Sequence, residues 1–344
     1  MVIVMAKNAP AEAVERVIND IKALGFTPHI SEGEERTLIG AIGPAPTEEL
    51  REQLAGLVAV DTVVRITKPY KLASREFRHD DSFVIIGGGG GSNAVKTGNG
   101  RFVVAAGPCG VESRDQLLDA AAIVQRHGAA ILRGGAYKPR TSPYAFQGLQ
   151  EQGLAILEEA RANTGMPVVT EVTAPELVER VAASADMLQI GARNSQNFAL
   201  LAEVGKTGKP VLFKRGMSTS IAEFLQAAEY VLSQGNPNVI LCERGIRTFE
   251  TSTRFTLDVS AVPVLKELTH LPVWVDPSHA AGRRPLVASL ALASAAAGAD
   301  GLIVEVHPRP EEAKSDAAQQ LDDAEFGALM DRLGKVVQAL GKSL

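Results

Sequence analysis

From residue 101 onward, eight short apolar runs alternate with amphipathic helical segments, and residues 1–68 run in the order β-α-β-β-α-β. These two patterns predict an α/β protein: a (β/α)8 TIM barrel with a small N-terminal ferredoxin-like domain. The length agrees, since 344 residues accommodate one barrel of about 250 residues and one small companion domain. A doubly wound open sheet is the alternative, but it has fewer strands and wants a glycine-rich turn after the first.

The small domain is read as follows. Val2–Met5 form a strand, and Val14, Val17, Ile18, Ile21 and Leu24 recur at helical spacing until Gly25 stops the helix. Strands follow at Thr27–Ser31 and Thr37–Ile42, then a helix opened by Pro46-Thr47-Glu48-Glu49 and a last strand at Thr62–Ile66. No cluster of catalytic residue types lies in this stretch, so it reads as a regulatory or an assembly module. Residues 69–100 form a linker and a hairpin capping the barrel. The run Gly87–Gly91 within it lacks the following Lys-Ser/Thr of a nucleotide loop and reads as a flexible connection or hairpin tip.

The barrel, residues 101–344, takes its strands from Phe102–Ala106, Ala130–Arg133, Val168–Glu171, Met187–Ile190, Val211–Lys214, Val239–Cys242, Val273–Val275 and Leu302–Glu305. A final helix from Asp323 to Leu340 carries Phe326, Leu329, Met330, Leu333, Val336, Val337 and Leu340 on one face. The longest apolar stretch, Pro285–Ala299, is shorter than the ~20 residues a bilayer requires and reads as a buried helix.

Composition narrows the function. The 35 Lys and Arg against 40 Asp and Glu give a formal charge of −5 without a long basic run, which argues against nucleic-acid and anionic-membrane binding. Two cysteines make no disulfide framework, and MVIVMAKNAPAEAVERV places charges where a secretory signal needs an apolar core, so a cytoplasmic location is expected.

A barrel of this kind works at the C-terminal ends of its strands, so the polar residues just after each apolar run carry the chemistry. In order these are Cys109; Arg133, Lys138 and Arg140; Glu171; Arg193; Lys214 and Arg215; Glu243 and Arg244; Asp276 and His279; Glu305 and His307; and Asp316. Arg133, Lys138, Arg140, Arg193, Lys214 and Arg244 form a cationic set suited to phosphate and carboxylate. Cys109, His279, Glu305 and Asp316 are a mixed soft and hard donor set suited to a divalent transition metal. Taken singly, Cys109 is equally a small packed residue and His279 equally a general base. Cys242 is expected to pack inside the barrel.

At AGPCGVES, LRGGAYKPRTSPYAFQGL, QIGARN, LFKRGMS, CERG and VDPSHAAGRR the chain closely resembles the 3-deoxy-D-arabino-heptulosonate 7-phosphate (DAHP) synthase family, in its type I beta subtype with an N-terminal ferredoxin-like regulatory domain. The resemblance is dense from Lys68 to about Leu321 and architectural before that. It implies a metal-dependent, aldol-like condensation of phosphoenolpyruvate with D-erythrose 4-phosphate and water at the head of the shikimate pathway. It places the metal on Cys109, His279, Glu305 and Asp316, and phosphoenolpyruvate on Arg133, Lys138, Arg193, Lys214 and Arg244, with Glu171 positioned to hold a water. It places erythrose 4-phosphate on Lys138, Pro139, Arg140 and Thr141. Manganese is the first expectation for the metal, and iron, cobalt, zinc and copper suit the same donors. Feedback inhibition by tyrosine or phenylalanine through residues 1–68, and a homotetramer, are implied in the same way.

Two other readings stand beside this one. The sister family making 3-deoxy-D-manno-octulosonate 8-phosphate from arabinose 5-phosphate has Asn-Arg-Ser after its lysine, where this chain has Lys138-Pro139-Arg140-Thr141. A non-catalytic barrel that binds phosphorylated metabolites has no need of all four metal donors.

Overall fold

The computed structural model describes residues 1–32, 36–43, 46–64, 69–139 and 142–344, and the chain divides into two compact units, Met1–Asp80 and Asp81–Leu344. In the first, β1 (Val2–Met5), α1 (Ala11–Ala23), β2 (Thr27–Glu32), β3 (Thr37–Ile42), α2 (Glu48–Ala55) and β4 (Val60–Val64) follow in the expected order. The antiparallel sheet is ordered β2-β3-β1-β4. Helix α1 turns Val17 and Ile21 into a core with Ile3, Met5, Ile39, Leu54 and Val63. The last strand starts two residues earlier than the sequence suggests, because a register shift between Val4 and Met5 lets Met5 pair with Val60. Residues 65 and 66 of the expected strand lie outside the described residues.

The second unit begins with a hairpin, β5 (Val84–Ile86) and β6 (Val95–Thr97), and Gly87–Gly91 lie in its connection. Gly87 has φ +80°, and a Cβ there would stand 2.4 Å from the Asn93 carbonyl oxygen, so this position requires glycine. Eight parallel strands then close a barrel: β7 (Val103–Gly107), β8 (Ile131–Arg133), β9 (Val168–Glu171), β10 (Met187–Ile190), β11 (Val211–Lys214), β12 (Val239–Glu243), β13 (Val273–Val275) and β14 (Gly301–Glu305). The helices between and after them are α3 (Arg114–Arg126), α4 (Glu151–Thr164), α5 (Val178–Ser184), α6 (Phe198–Lys206), α7 (Ile221–Leu232), α8 (Ala261–Leu268), α9 (Pro277–Ala281), α10 (Arg284–Ala296) and α11 (Asp323–Ala339).

Val84 and Ile86 of the hairpin join Val103, Ile131, Met187, Ile240, Cys242 and Trp274 in one buried cluster, so the hairpin seals the end of the barrel where the strands begin. Trp274, fully buried, donates its indole N–H to Thr97 Oγ1 at 2.8 Å, which satisfies the one polar atom of the ring. Two helical expectations are corrected. The Ala-rich α10 buries only one face, through Val287, Ala291, Ser294 and Ala295, because alanine exposes too little apolar surface to force the other face inward. Leu340 is not on the buried face of α11 but caps its C-terminus at 45% exposure, since Gly341 at φ +71° ends the helix there. No helix among the described residues is long and apolar enough to cross a membrane.

Candidate active site

The opposite end of the barrel is chemically its inverse. Arg133, Glu171, Lys214, Glu243 and Glu305 each close a strand, and each is buried. Charge at that depth is tolerated only where it is paired or coordinated, and the pairings sort these residues into two adjoining sites and one support.

The first site joins Cys109, His279, Glu305 and Asp316, whose ligand atoms all lie within 4.8 Å of one another. Cys109 Sγ is 3.1 Å from Asp316 Oδ2, and His279 Nε2 is 3.4 Å from Glu305 Oε1 and 3.8 Å from Asp316 Oδ2. The local chain explains how His279 arrives. Asp276 ends the β13 turn as the N-cap of α9, accepting from the His279 backbone N–H at 2.9 Å, and its Oδ2 holds His279 Nδ1 at 2.7 Å. With Nδ1 anchored on a carboxylate, Nε2 is left facing the other three donors.

Burial lowers the His279 pKa from its ordinary value, against the pull of Asp276 and Glu305, so the ring is neutral and able to ligate. Burial, helped by Glu305, pushes the Cys109 thiol up to about 12. Asp316 and Glu305 are both held below the usual carboxylate range: burial opposes this, and His279, with Arg254 for the one and Arg133 for the other, outweighs it. A thiol, a neutral imidazole and two ionised carboxylates converging in a buried space fit a divalent cation, which would relieve the crowding of acidic groups.

The second site is a cavity of about 200 Å³ walled by cations. Arg133, Lys138, Arg193, Lys214 and Arg244 all line it, together with Glu171. Arg133 Nη1 donates to Glu305 Oε1 at 2.8 Å and to the Pro108 carbonyl at 3.0 Å. Lys138 Nζ donates to the Cys109 carbonyl at 2.9 Å and reaches its Sγ at 3.0 Å, placing this lysine between the two sites. Lys214 Nζ is 2.5 Å from Asp276 Oδ2, so one carboxylate serves both the lysine and the imidazole. Glu171 accepts from Gln189 Nε2 at 3.1 Å and packs against Gly191, where a Cβ would fall 2.0 Å from its Oε1.

Arg244 differs from its neighbours. Its guanidinium stacks 4.3 Å over the Phe255 ring, and its Nη1 is buried without a hydrogen-bond partner among the described residues. Burial lowers its pKa from the ordinary value, against Asp276. A buried, unpaired guanidinium donor on a residue that lines a cationic cavity fits an anion as its missing partner. A second cavity of about 270 Å³ shares Lys138, Glu171, Arg193, Arg244 and His279 with the first and adds Pro139, Ser142 and Asp316. Arg140 and Thr141 lie outside the described residues.

Arg215, Glu243 and His307, singled out in the sequence, line neither cavity and belong to neither site. Arg215 pairs with Glu243 and Asp258, each at 2.9 Å, and so supports the loops around Lys214 and Arg244 from behind. His307 accepts the Arg309 backbone N–H at 3.0 Å in a buried position. Conversely, Gln189, Met217, Arg247, Arg254 and Phe255 line the first cavity and have no assigned role in the sequence reading. Arg247 and Arg254 sit 4 and 11 residues past Glu243, beyond the short window that follows an apolar run; the Arg-rich segment Arg244–Arg254 is the signal that points to them.

A barrel whose mouth joins four donors able to hold a cation to a cationic cradle has the makings of an enzyme acting on anionic substrates. Residues 75–339 match the family model described as the DAHP synthetase I family, and residues 1–68 match that of the DAHP synthase ferredoxin-like domain. The chain belongs to the DAHP synthetase I family. It is 49% identical over 341 residues to the phospho-2-dehydro-3-deoxyheptonate aldolase of Thermotoga maritima, covering 99% of each chain. A crystal structure of that DAHP synthase covers 99% of this chain and 98% of its own with a TM-score of 0.77 at 48% identity. A 2-dehydro-3-deoxyphosphooctonate aldolase from a Bradyrhizobium species is 33% identical over 261 residues, spanning 70% of this chain and 91% of that protein. The family and fold implied by the six motifs are thereby borne out.

Proposed function

We propose that the chain condenses phosphoenolpyruvate with D-erythrose 4-phosphate and water to DAHP and inorganic phosphate, the first step of the shikimate pathway to aromatic amino acids. The observation that carries this reading is the unpartnered Arg244 donor in a cationic cavity directly beside the Cys109–His279–Glu305–Asp316 cluster. A phosphorylated carboxylate and a carbonyl-polarising centre are then side by side.

In this reading Arg133, Lys138, Arg193, Lys214 and Arg244 bind the phosphate and carboxylate of phosphoenolpyruvate through fixed donors. Erythrose 4-phosphate occupies the outer cavity, with Lys138 and Pro139 along its chain and Arg140 and Thr141 on its phosphate. A divalent cation held by Cys109, His279, Glu305 and Asp316, manganese as first choice, supplies Lewis-acid polarisation of the aldehyde when bound. C3 of phosphoenolpyruvate attacks the aldehyde carbon, and Lys138 holds a proton toward the aldehyde oxygen or the enolpyruvate carboxylate. Glu171, oriented by Gln189, holds the water that adds at C2. Lys214 and the arginines stabilise the phosphate as its C–O bond breaks. The thiol at the cation site suits a reducing cytoplasm. Residues 1–68 bind tyrosine or phenylalanine as feedback inhibitor, and the protein works as a homotetramer.

The test is phosphoenolpyruvate consumption with phosphate release, comparing erythrose 4-phosphate with arabinose 5-phosphate in chelator-treated protein with and without manganese. Cation-dependent turnover with the four-carbon sugar is expected. Turnover with arabinose 5-phosphate alone moves the chain to the octulosonate reaction, and silence with both leaves a binding protein. Removing residues 1–68 should leave turnover and abolish inhibition.

A further inference from the structure

Beside the cation site lies a neutral side chain that neither the substrate reading nor the donor set uses. Gln319, in the loop between β14 and α11, is 2% exposed. Its Nε2 donates to Glu305 Oε2 at 2.6 Å, and its Oε1 accepts from Arg254 Nη1 at 3.1 Å. The same Arg254 nitrogen donates to Asp316 Oδ1, also at 3.1 Å. One amide therefore reaches both carboxylates of the site, Glu305 directly and Asp316 through a guanidinium.

The pattern of oxygens gives the contact its meaning. Glu305 Oε2 faces Gln319 while Oε1 faces His279 Nε2 and Arg133. Asp316 Oδ1 faces Arg254 while Oδ2 faces Cys109 Sγ and His279 Nε2. In each carboxylate one oxygen is tethered outward and the other is presented to the imidazole, with the thiol beside it in Asp316 and Arg133 beside it in Glu305. The amide fills both ends of this relay, having a donor end for the carboxylate and an acceptor end for the guanidinium. Glutamate would set two carboxylates against each other, and an apolar side chain would leave the buried Glu305 Oε2 without this donor and Arg254 Nη1 with Asp316 alone.

We propose that Gln319 is a positioning residue of the cation site: with Arg254 as its relay, it orients Glu305 and Asp316 so that each offers a single oxygen to the ion. The proposal rests on reading the four-residue cluster as a cation site. Its expected consequence lies in cation affinity, because removing an outer partner of a metal ligand typically costs 10- to 100-fold.

Cobalt(II) is titrated into chelator-stripped full-length protein and followed by the thiolate-to-cobalt absorption band, for the parent chain, Gln319→Glu, Gln319→Met, Arg254→Gln and the Gln319→Met/Arg254→Gln pair. Melting of each stripped protein is recorded alongside. Both Gln319 variants are expected to bind cobalt at least 10-fold more weakly, with the stripped proteins melting near the parent. The double variant should bind no more weakly than the worse single one, since both act along one chain of contacts. Cobalt affinity within twofold of the parent in Gln319→Met, or in Gln319→Glu should the apolar variant not fold, overturns the proposal. So does a loss confined to melting temperature, which would make Gln319 a packing residue. Absence of any calorimetrically detectable cobalt binding by the parent chain sinks the cation-site reading itself, a result separate from any of these.

Discussion

The two ends of the barrel are built from the same strands and obey opposite rules. At the sealed end Val84, Ile86, Val103, Ile131 and Trp274 bury apolar surface, and the indole N–H, the one polar atom of that ring, has its partner in Thr97. At the open end the same strands finish in buried Arg133, Glu171, Lys214 and Glu305, and Arg244 beside them leaves a donor unpaired. The sealed end is optimised for the folded chain alone. The open end buries charge and an unpaired donor that the proposed anion and cation would satisfy, so its side chains are not optimal for stability.

Arg244 is where this contrast breaks most sharply. Arg244→Met keeps an unbranched, polarisable side chain against Phe255 while removing the buried, unpaired guanidinium. We expect kcat/KM for phosphoenolpyruvate to fall by about 1,000-fold, equivalent to roughly 4 kcal/mol of transition-state stabilisation. Unfolding free energy should hold or rise by about 1 kcal/mol, because a desolvated donor has been deleted. Steady-state kinetics and urea unfolding read the two numbers. Destabilisation by more than about 1 kcal/mol would mean that Arg244 supports the fold as well, and the contrast between the ends would fail.

The sealed end should respond with the opposite sign. Trp274→Ala removes a fully buried indole and leaves Thr97 Oγ1 without that donor, which should cost about 3–5 kcal/mol of stability. The protein that remains folded should bind cobalt(II) as the parent does, since Trp274 lies among the apolar residues of the hairpin cluster and none of the four donors does. Weakened cobalt binding with a small loss of stability would show that the two ends are mechanically coupled.

What could be read from the sequence follows the same division. Strand periodicity places the end of each run, and a closed parallel barrel carries those ends to one face, so Cys109, His279, Glu305 and Asp316 meet although up to 207 residues separate them. The same logic recovers five of the seven lysines and arginines lining the first cavity, Arg247 and Arg254 being the two it misses. It stops where the path of a loop decides contact. Arg254 reaches Asp316 from the long segment after β12, and no periodicity fixes that reach. Gln319 is invisible for another reason: a neutral amide has no chemistry of its own until its two partners are known. Strand-end position also overreaches, since Arg215 and Glu243 meet the same criterion and pair with each other behind the cavity. The Ala-rich stretch read as a buried helix exposes one face because apolar composition sets what can be buried and not what must be.

The smallest expected effect concerns a single proton and sharpens what the open end lacks. In the cation-free protein, burial and Glu305 hold the Cys109 thiol near 12, so it is protonated at neutral pH. Burial keeps His279 below its ordinary value, so between pH 7 and 8 the ring is already neutral and has no proton to give up. Glu305 and Asp316, held low, are ionised throughout that range. Ligation by thiolate must then expel one proton, and the sign follows: higher pH removes the competitor, and cation affinity rises about tenfold for each pH unit. Calorimetric titration of cobalt(II) in two buffers with different ionisation enthalpies counts the proton directly. A count of one assigns Cys109 as a thiolate ligand that ionises on binding. A count of zero, with affinity flat across pH 7 to 8, would leave the ion on imidazole and carboxylates alone and return Cys109 to the packed residues of the barrel.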